Sequence, residues 1–141
     1  MDQSGRRELL IRSLLRERPG EEETPVPRDA GEQKRLLRAL MNVRPPEPAD
    51  GGFLAVQDEY LREAIREKGI TRLADLTPVE GDLYLWQGDI TTLACDAIVN
   101  AANSALLGCF RPLHTCIDNC IHTYAGVHAR TISLSRKART T

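Results

Sequence analysis

Three residues that commonly bind metal ions lie within eight positions of one another in the second half of the chain. Cys109, His114 and Cys116 offer two thiols and one imidazole, a donor set that zinc accepts readily. Three protein ligands would leave the fourth tetrahedral position open, as in catalytic zinc sites. Cys120 follows Cys116 by four residues and would close the site if a helix begins early. The spacing alone leaves both arrangements open, beside the alternative of unconnected thiols and a surface histidine.

Polar residues flank this cluster, and each has a structural as well as a functional interpretation. Asp118 is placed to be the N-cap of a helix or to face a substrate. Asn100 and Asn103 follow a short apolar segment, where asparagine is common in turns. Asp89 follows a strand candidate and is suited to an Asx turn. His122 lies one helical turn after Asp118, and we assign it no catalytic role.

The first 80 residues are predicted to be helical. Apolar residues recur there at helical spacing in three stripes, and we expect these stripes to pack against the domain that follows rather than against a partner. Pro19 and Gly20 end the first stripe, Pro45 and Pro46 stop the second, and Gly69 is a suitable C-cap for the third. The stripes cover residues 9–15, 36–43 and 53–68.

The pattern changes to that of an α/β protein at Gly81. Residues 83–87 are a strand candidate, and residues 97–100 form a short apolar run typical of a buried parallel strand. A long loop then leads to a predicted helix over residues 117–125. This order of strand, strand, loop and helix indicates the α/β class.

Composition excludes several classes of function. The chain has 141 residues, with 19 Lys+Arg against 20 Asp+Glu and a net charge of -1, so bulk charge does not favour nucleic-acid binding. No apolar run approaches the roughly 20 residues that span a bilayer, and residues 1–18 lack the apolar core of a signal peptide. We expect a cytoplasmic protein without a nucleic-acid or membrane partner, whose clustered cysteines serve a metal or reactive site rather than disulfides.

Several ordered motifs resemble the opening of a macrodomain, a family that folds as an α/β/α sandwich and binds ADP-ribose. The motifs are residues 88–91 (GDIT), 96–103 (DAIVNAAN), 106–108 (LLG), 121–122 (IH) and 125–126 (AG). The segment 108–119 (GCFRPLHTCIDN) replaces the usual glycine run and is similar to the zinc-containing macrodomains, a microbial branch with protein-ADP-ribose hydrolase activity. The resemblance implies the N-terminal part of a macrodomain sandwich, preceded by a helical extension.

The resemblance also implies roles for individual residues. Cys109, His114 and Cys116 would bind Zn²⁺, which leaves Cys120 as a packing residue. Asn103 and Asp118 would be the catalytic pair and hold the distal ribose. The adenine would lie beside Asp89 and Ile90. The implied reaction is hydrolysis of the N- or O-glycosidic bond between ribose C1″ and a modified side chain. The implied partners are ADP-ribose and ADP-ribosylated proteins, with a lipoyl-carrier-like protein as one candidate.

The motifs divide the chain into three parts. These are a helical extension (1–80), a partial macrodomain (81–126) and a basic tail without a helical pattern, outside the family (127–141). Because the match stops after Gly126, we expect a truncated or frame-shifted product, with a short form that pairs with another chain as the alternative. Three alternatives stay open: an ADP-ribose-binding module without catalysis, an inactive fragment of a hydrolase, and a small structural zinc protein.

Overall fold

The computed structural model describes residues 1–137, and its elements are five helices and four short strands. The helices are α1 (Gln3–Arg16), α2 (Ala30–Val43), α3 (Gly51–Lys68), α4 (Ile117–Ala125) and α5 (His128–Lys137). The strands are β1 (Thr71–Arg72), β2 (Pro78–Glu80), β3 (Leu83–Tyr84) and β4 (Leu93–Ala94), with 3₁₀ turns at Leu73–Asp75 and Ile90–Thr92. Within residues 1–137, every helix is too short or too polar to cross a lipid bilayer.

The first three helices begin in the same way. Asp2, Asp29 and Asp50 are the N-caps of α1, α2 and α3, and each carboxylate accepts a hydrogen bond from a backbone N–H three residues later. Such a cap contributes about 1 kcal/mol to helix stability. Helix α3 ends at Gly69, whose φ of 89° is easily adopted only by glycine. The three predicted helices and the predicted C-cap are therefore confirmed.

The apolar core lies mainly between α1, α2 and α3. Leu10, Ile11 and Leu37 are almost completely buried there, and the helical stripes pack mostly on one another rather than on the part that follows. The other buried apolar residues of this cluster are Leu14, Leu15, Leu40, Met41, Phe53, Tyr60, Leu61 and Val127. The predicted extension is thus where most of the buried apolar surface is found.

The α/β part contains two small sheets. Strand β1 pairs in parallel with β4, with Thr71 opposite Leu93, and β2 pairs antiparallel with β3. The mixed α/β class is confirmed at this level. Residues 97–100, however, form no strand, and Val99 is 90% exposed. A parallel strand needs neighbours and covering helices on both faces, and residues 1–137 supply neither around Val99.

Residues 127–137 differ from the predicted tail without helical pattern. They form α5 directly after α4, and Val127 and Arg130 are 5% and 3% exposed. The prediction missed this helix because its buried contacts include an arginine, which an apolar pattern does not show. Residues 138–141 of the predicted tail lie outside the described residues.

Candidate metal centre

The three predicted ligands meet in the structure. The two sulfur atoms and a ring nitrogen of Cys109, Cys116 and His114 all lie within 4.8 Å of one another. Cys109 Sγ is 3.6 Å from His114 Nδ1. Zinc bonds of about 2.3 Å to sulfur and 2.05 Å to nitrogen, at a tetrahedral angle, separate the two ligand atoms by about 3.6 Å. The donor set and its spacing therefore fit a zinc ion.

Cys116 also caps the N-terminal end of a helix. It is the N-cap of α4, and its sulfur accepts a hydrogen bond from Asn119 N–H at 3.4 Å. The helix dipole stabilises negative charge at this position, which suits a thiolate ligand. The N-cap role predicted as one possibility for Asp118 falls to Cys116 instead, and Asp118 lies inside the first turn of α4.

Cys120 does not join this cluster. Its sulfur lies 3.6 Å from Arg38 Nη2 and 4.0 Å from the Thr115 carbonyl oxygen. Among residues 1–137, the group of potential metal ligands consists of Cys109, His114 and Cys116. The structure thus favours the three-ligand arrangement over the closed site with Cys120.

The loop that contains the ligands, residues 109–116, is fastened to α2 and α5. Asn42 Oδ1 accepts a hydrogen bond from Leu113 N–H, and Asn42 Nδ2 donates to Thr123 of α4. Leu113 has a φ of 57°, a strained value for leucine that this bond helps to hold. Arg130 of α5 donates to the Cys109 carbonyl oxygen. The helical extension is thus a structural part of the site.

Asp118 lies near the ligand loop but is only 4% exposed. Its Oδ1 accepts a hydrogen bond from Asn100 Nδ2 at 2.8 Å and lies 3.5 Å from His122 Nε2. The sequence already places His122 one helical turn after Asp118, and the structure adds Asn100 to this pair.

His122 packs tightly against the start of the ligand loop. Gly108 has a φ of 80°, and a Cβ there would meet the His122 ring at 2.7 Å, so another residue would push the ring away. Burial lowers the pKa of His122, an effect that Asp118 opposes and Arg130 reinforces. The imidazole is therefore neutral near neutral pH.

We expect His122→Gln to weaken the acid sensitivity of the metal-free fold. The unfolded histidine titrates near 6.5 and the folded one lower, so between these pKa values the unfolded state binds more protons. The stability that His122 contributes is complete above about pH 6.5 and is lost as pH falls through its folded pKa. Urea unfolding at pH 7.5 and 5.5 should show a smaller loss for the variant than for the wild type. An equal loss in both proteins would contradict this assignment.

The remaining predicted site residues lie in local turns. Asn103 donates to the Gly108 carbonyl oxygen at 3.1 Å and accepts from Ala105 N–H. Asp89 accepts from Thr91 N–H, as in an Asx turn, and pairs with Lys68.

The pairing of Asp89 alters its titration. Partial burial would raise the pKa of Asp89, but the hydrogen bonds from Lys68 and Thr91 outweigh burial and lower it to about 2. Ile90 lines a cavity of about 250 Å³ between α3 and α4. The carboxylate of Asp89 is therefore ionised, and the next residue along the chain lines a small cavity.

Sequence reasoning missed four residues that hold the site together: Arg38, Asn42, Asn119 and Arg130. All four make hydrogen bonds to the ligand loop. The sequence feature that could have indicated them is a polar residue on an otherwise apolar helix face. It is a weak indication, because such residues also occur where no site exists.

The comparisons with known proteins agree with the motifs. The chain is 60% identical over 136 residues to a protein-ADP-ribose hydrolase of Treponema medium, covering 94% of this chain and 52% of the relative. It is 49% identical over 126 residues to a protein-ADP-ribose hydrolase of Staphylococcus aureus strain MRSA252, covering 89% and 47%. No protein-family model matches the chain.

A fungal relative extends this group. A protein of Fusarium oxysporum f. sp. cubense, named "Probable bifunctional ADP-ribose hydrolase/ADP-ribosyltransferase", is 45% identical over 106 residues. That alignment covers 67% of this chain and 18% of the fungal protein.

These similarities show which proteins the chain is related to. It is homologous to protein-ADP-ribose hydrolases over nearly all of its length, and their names fit the macrodomain family that the motifs resemble. The chain spans about half the length of the first two relatives, 52% and 47%.

Proposed function

We propose that this chain carries the zinc site of a protein-ADP-ribose hydrolase of the zinc-containing macrodomain branch, which removes ADP-ribose from modified protein side chains. The observation that carries the proposal is the meeting of Cys109, His114 and Cys116 at zinc-ligand spacing. It is supported by 60% identity to a protein named as such a hydrolase. Three ligands leave one tetrahedral position for water or substrate.

We assign the sugar-binding roles to Asn103 and Asp118. The bond from Asn100 holds Asp118 Oδ1, while Asp118 Oδ2 accepts no hydrogen bond from the described residues. That oxygen is suited to accept a hydrogen bond from a ribose hydroxyl. Asn103 lies in the turn that leads to Gly108 and the ligand loop, so its amide is suited to orient the same sugar. The adenine is assigned to Asp89 and Ile90, beside the small cavity.

The proposed reaction breaks the glycosidic bond at ribose C1″ and adds the elements of water. Zinc, when bound, would supply a Lewis acid that lowers the pKa of a coordinated water or polarises a substrate oxygen. Asp118 and Asn103 would fix the sugar so that C1″ faces the ligand loop, an arrangement that removes much of the entropic cost of the reaction.

The proposal includes the domain assignment made from the motifs. The helical part of the extension over residues 1–80 ends with α3 at Lys68, because residues 71–80 already contain β1 and β2, and β1 pairs with β4. Residues 81–126 are assigned to a macrodomain sandwich. The alignment with the Treponema medium relative covers 94% of the chain and therefore extends into residues 127–141. The substrate is an ADP-ribosylated protein, and a lipoyl-carrier-like protein is retained as a candidate on resemblance alone. The thiolate ligands require a reducing compartment, which agrees with a cytoplasmic location.

The proposal can be tested with the zinc-loaded 141-residue chain and an ADP-ribosylated protein. We expect release of free ADP-ribose, and we expect Asp118→Asn to slow it by about a hundredfold because the sugar loses its positioning carboxylate. Asp82→Asn, a change at an exposed acid, is the matched control. Calorimetry with ADP-ribose provides a separate measure of binding. Binding without release would indicate a binding module, and the absence of both would overturn the proposal.

A further inference from the structure

We infer that Arg38 of α2 and Asn119 of α4 are positioning residues that hold the ligand loop at zinc-binding spacing. The inference rests on the proposed function, since zinc is the proposed ligand of this loop. Neither residue offers a metal ligand. Arg38 lies outside the motifs that resemble the family, and Asn119 is the last residue of the segment 108–119, to which the resemblance assigns no role for it. Arg38 is separated from Asn119 by 81 residues, so their contact depends on how α2 packs beside α4.

Asn119 joins the two ends of the loop. Its side chain is completely buried. Its Nδ2 donates to the carbonyl oxygens of Cys109, at 3.2 Å, and Arg111, at 3.0 Å. Its backbone N–H donates to Cys116 Sγ at 3.4 Å. One residue thereby sets the distance between the two thiol ligands.

Arg38 reaches the third ligand from the opposite helix. Its Nη2 donates to the His114 carbonyl oxygen at 2.7 Å and to Asn119 Oδ1 at 3.0 Å. Hydrogen bonds from a charged donor are stronger than those between neutral groups. Each ligand residue therefore contacts this pair: Cys109 and Cys116 through Asn119, and His114 through Arg38.

The physical consequence concerns the order of the loop before metal binds. An unrestrained loop would lose conformational freedom when its three ligands converge on an ion, and that loss would weaken binding. A loop already held by Arg38 and Asn119 avoids much of this cost. Residues that orient metal ligands without touching the metal typically change affinity by about 10- to 100-fold when replaced.

Arg38→Met is the variant that tests the inference, because methionine keeps an apolar stem while removing the hydrogen bonds to His114 and Asn119, together with the contact to Cys120 Sγ. Arg35→Met is the matched control: Arg35 is an exposed arginine on the same helix, and its side chain makes no hydrogen bond or ion pair with the described residues. Arg38→Lys keeps the charge but not the planar donor group. The measurements are zinc affinity by chelator competition, the absorption spectrum of the Co²⁺ form, and thermal unfolding of the metal-free chain.

We expect Arg38→Met to weaken zinc binding by about 10- to 100-fold and to alter the Co²⁺ spectrum, in a metal-free chain that unfolds at a lower temperature but is still folded at the temperature of the binding measurement. Arg38→Lys should lie between it and the wild type, and Arg35→Met should match the wild type. Unchanged affinity and spectrum in Arg38→Met would overturn the inference. So would a loss of affinity that only follows unfolding of the metal-free chain, because Arg38 would then serve general stability.

Amide hydrogen exchange of the metal-free chain separates this inference from the proposed function. If the wild type binds no zinc, the proposed function fails, but the hold on the loop is still measurable. Faster exchange in residues 109–116 of Arg38→Met, with wild-type exchange in Arg35→Met, would support the positioning role. Equal exchange in all three proteins would overturn it.

Discussion

Cys116→Ser is expected to reduce zinc affinity by at least about a hundredfold, from about one zinc ion per chain in the wild type. Structural zinc sites in small domains bind with about 10–16 kcal/mol through four ligands, so each ligand accounts for roughly 2.5–4 kcal/mol. This corresponds to about 100- to 1,000-fold in affinity. Loss of a thiolate is therefore one of the largest effects that a single substitution can have here.

Serine is the informative replacement because Cys116 has two roles. Its sulfur is a proposed ligand and also accepts the N-cap hydrogen bond of α4. Serine is a favoured N-cap, so the helix end is preserved while the thiolate is removed. The metal-free variant should accordingly unfold at the wild-type temperature.

Cys120→Ser is the matched control for this experiment. Cys120 is four residues further along the same helix and lies outside the ligand cluster. Elemental analysis after gel filtration should find about one zinc per chain in this variant and almost none in Cys116→Ser. Equal zinc loss in both variants would contradict the three-ligand site and indicate that Cys120 is a fourth ligand.

Arg130→Met should lower the free energy of unfolding by about 3 kcal/mol or more. Arg130 Nη1 donates to the carbonyl oxygens of Met41, Asn42 and Arg44 at the end of α2, and Nη2 donates to that of Cys109. The last carbonyls of a helix have no partners within it. Each hydrogen bond from a charged group contributes about 1.5–3 kcal/mol, and methionine leaves these buried oxygens without a donor.

This effect should appear as a fall of roughly 10 °C in the midpoint of thermal unfolding. Arg62→Met is a suitable control because the Arg62 side chain is 67% exposed and its ion pair with Asp58 is long, at 3.9 Å. The control should unfold within about 1–2 °C of the wild type. If Arg130→Met also unfolds at the wild-type temperature, residues 127–137 do not support the fold in solution, and the basic-tail interpretation would be restored.

Both predictions concern the contacts between the ligand loop and the helices that hold it. The ligand loop is held from one side by α2 and from the other by α5, and Arg130 contacts both the end of α2 and the Cys109 carbonyl oxygen. Zinc binding and global stability should therefore be coupled. Zinc that binds the folded chain but not the unfolded chain would raise the unfolding temperature as the zinc concentration increases.

The sequence by itself determined the features that depend on local spacing. The three N-terminal helices followed from apolar residues at helical intervals, and Gly69 ended the third because a positive φ favours glycine. The metal cluster followed from thiols and an imidazole placed close together along the chain, which a short loop can bring to one point. Likewise, helix α4 was predicted over residues 117–125, the range that the structure shows.

Only the tertiary structure decided which residues hold the site. Arg38 contacts Asn119 across 81 residues, and Arg130 contacts Asn42 across 88. Hydrogen bonds over such separations are created by the packing of helices and leave no periodic pattern in the sequence. For the same reason, the apolar run at residues 97–100 was predicted as a buried strand, yet Val99 is exposed. Apolar character shows that a segment can be buried, but a strand forms only where a neighbouring strand completes its hydrogen bonds.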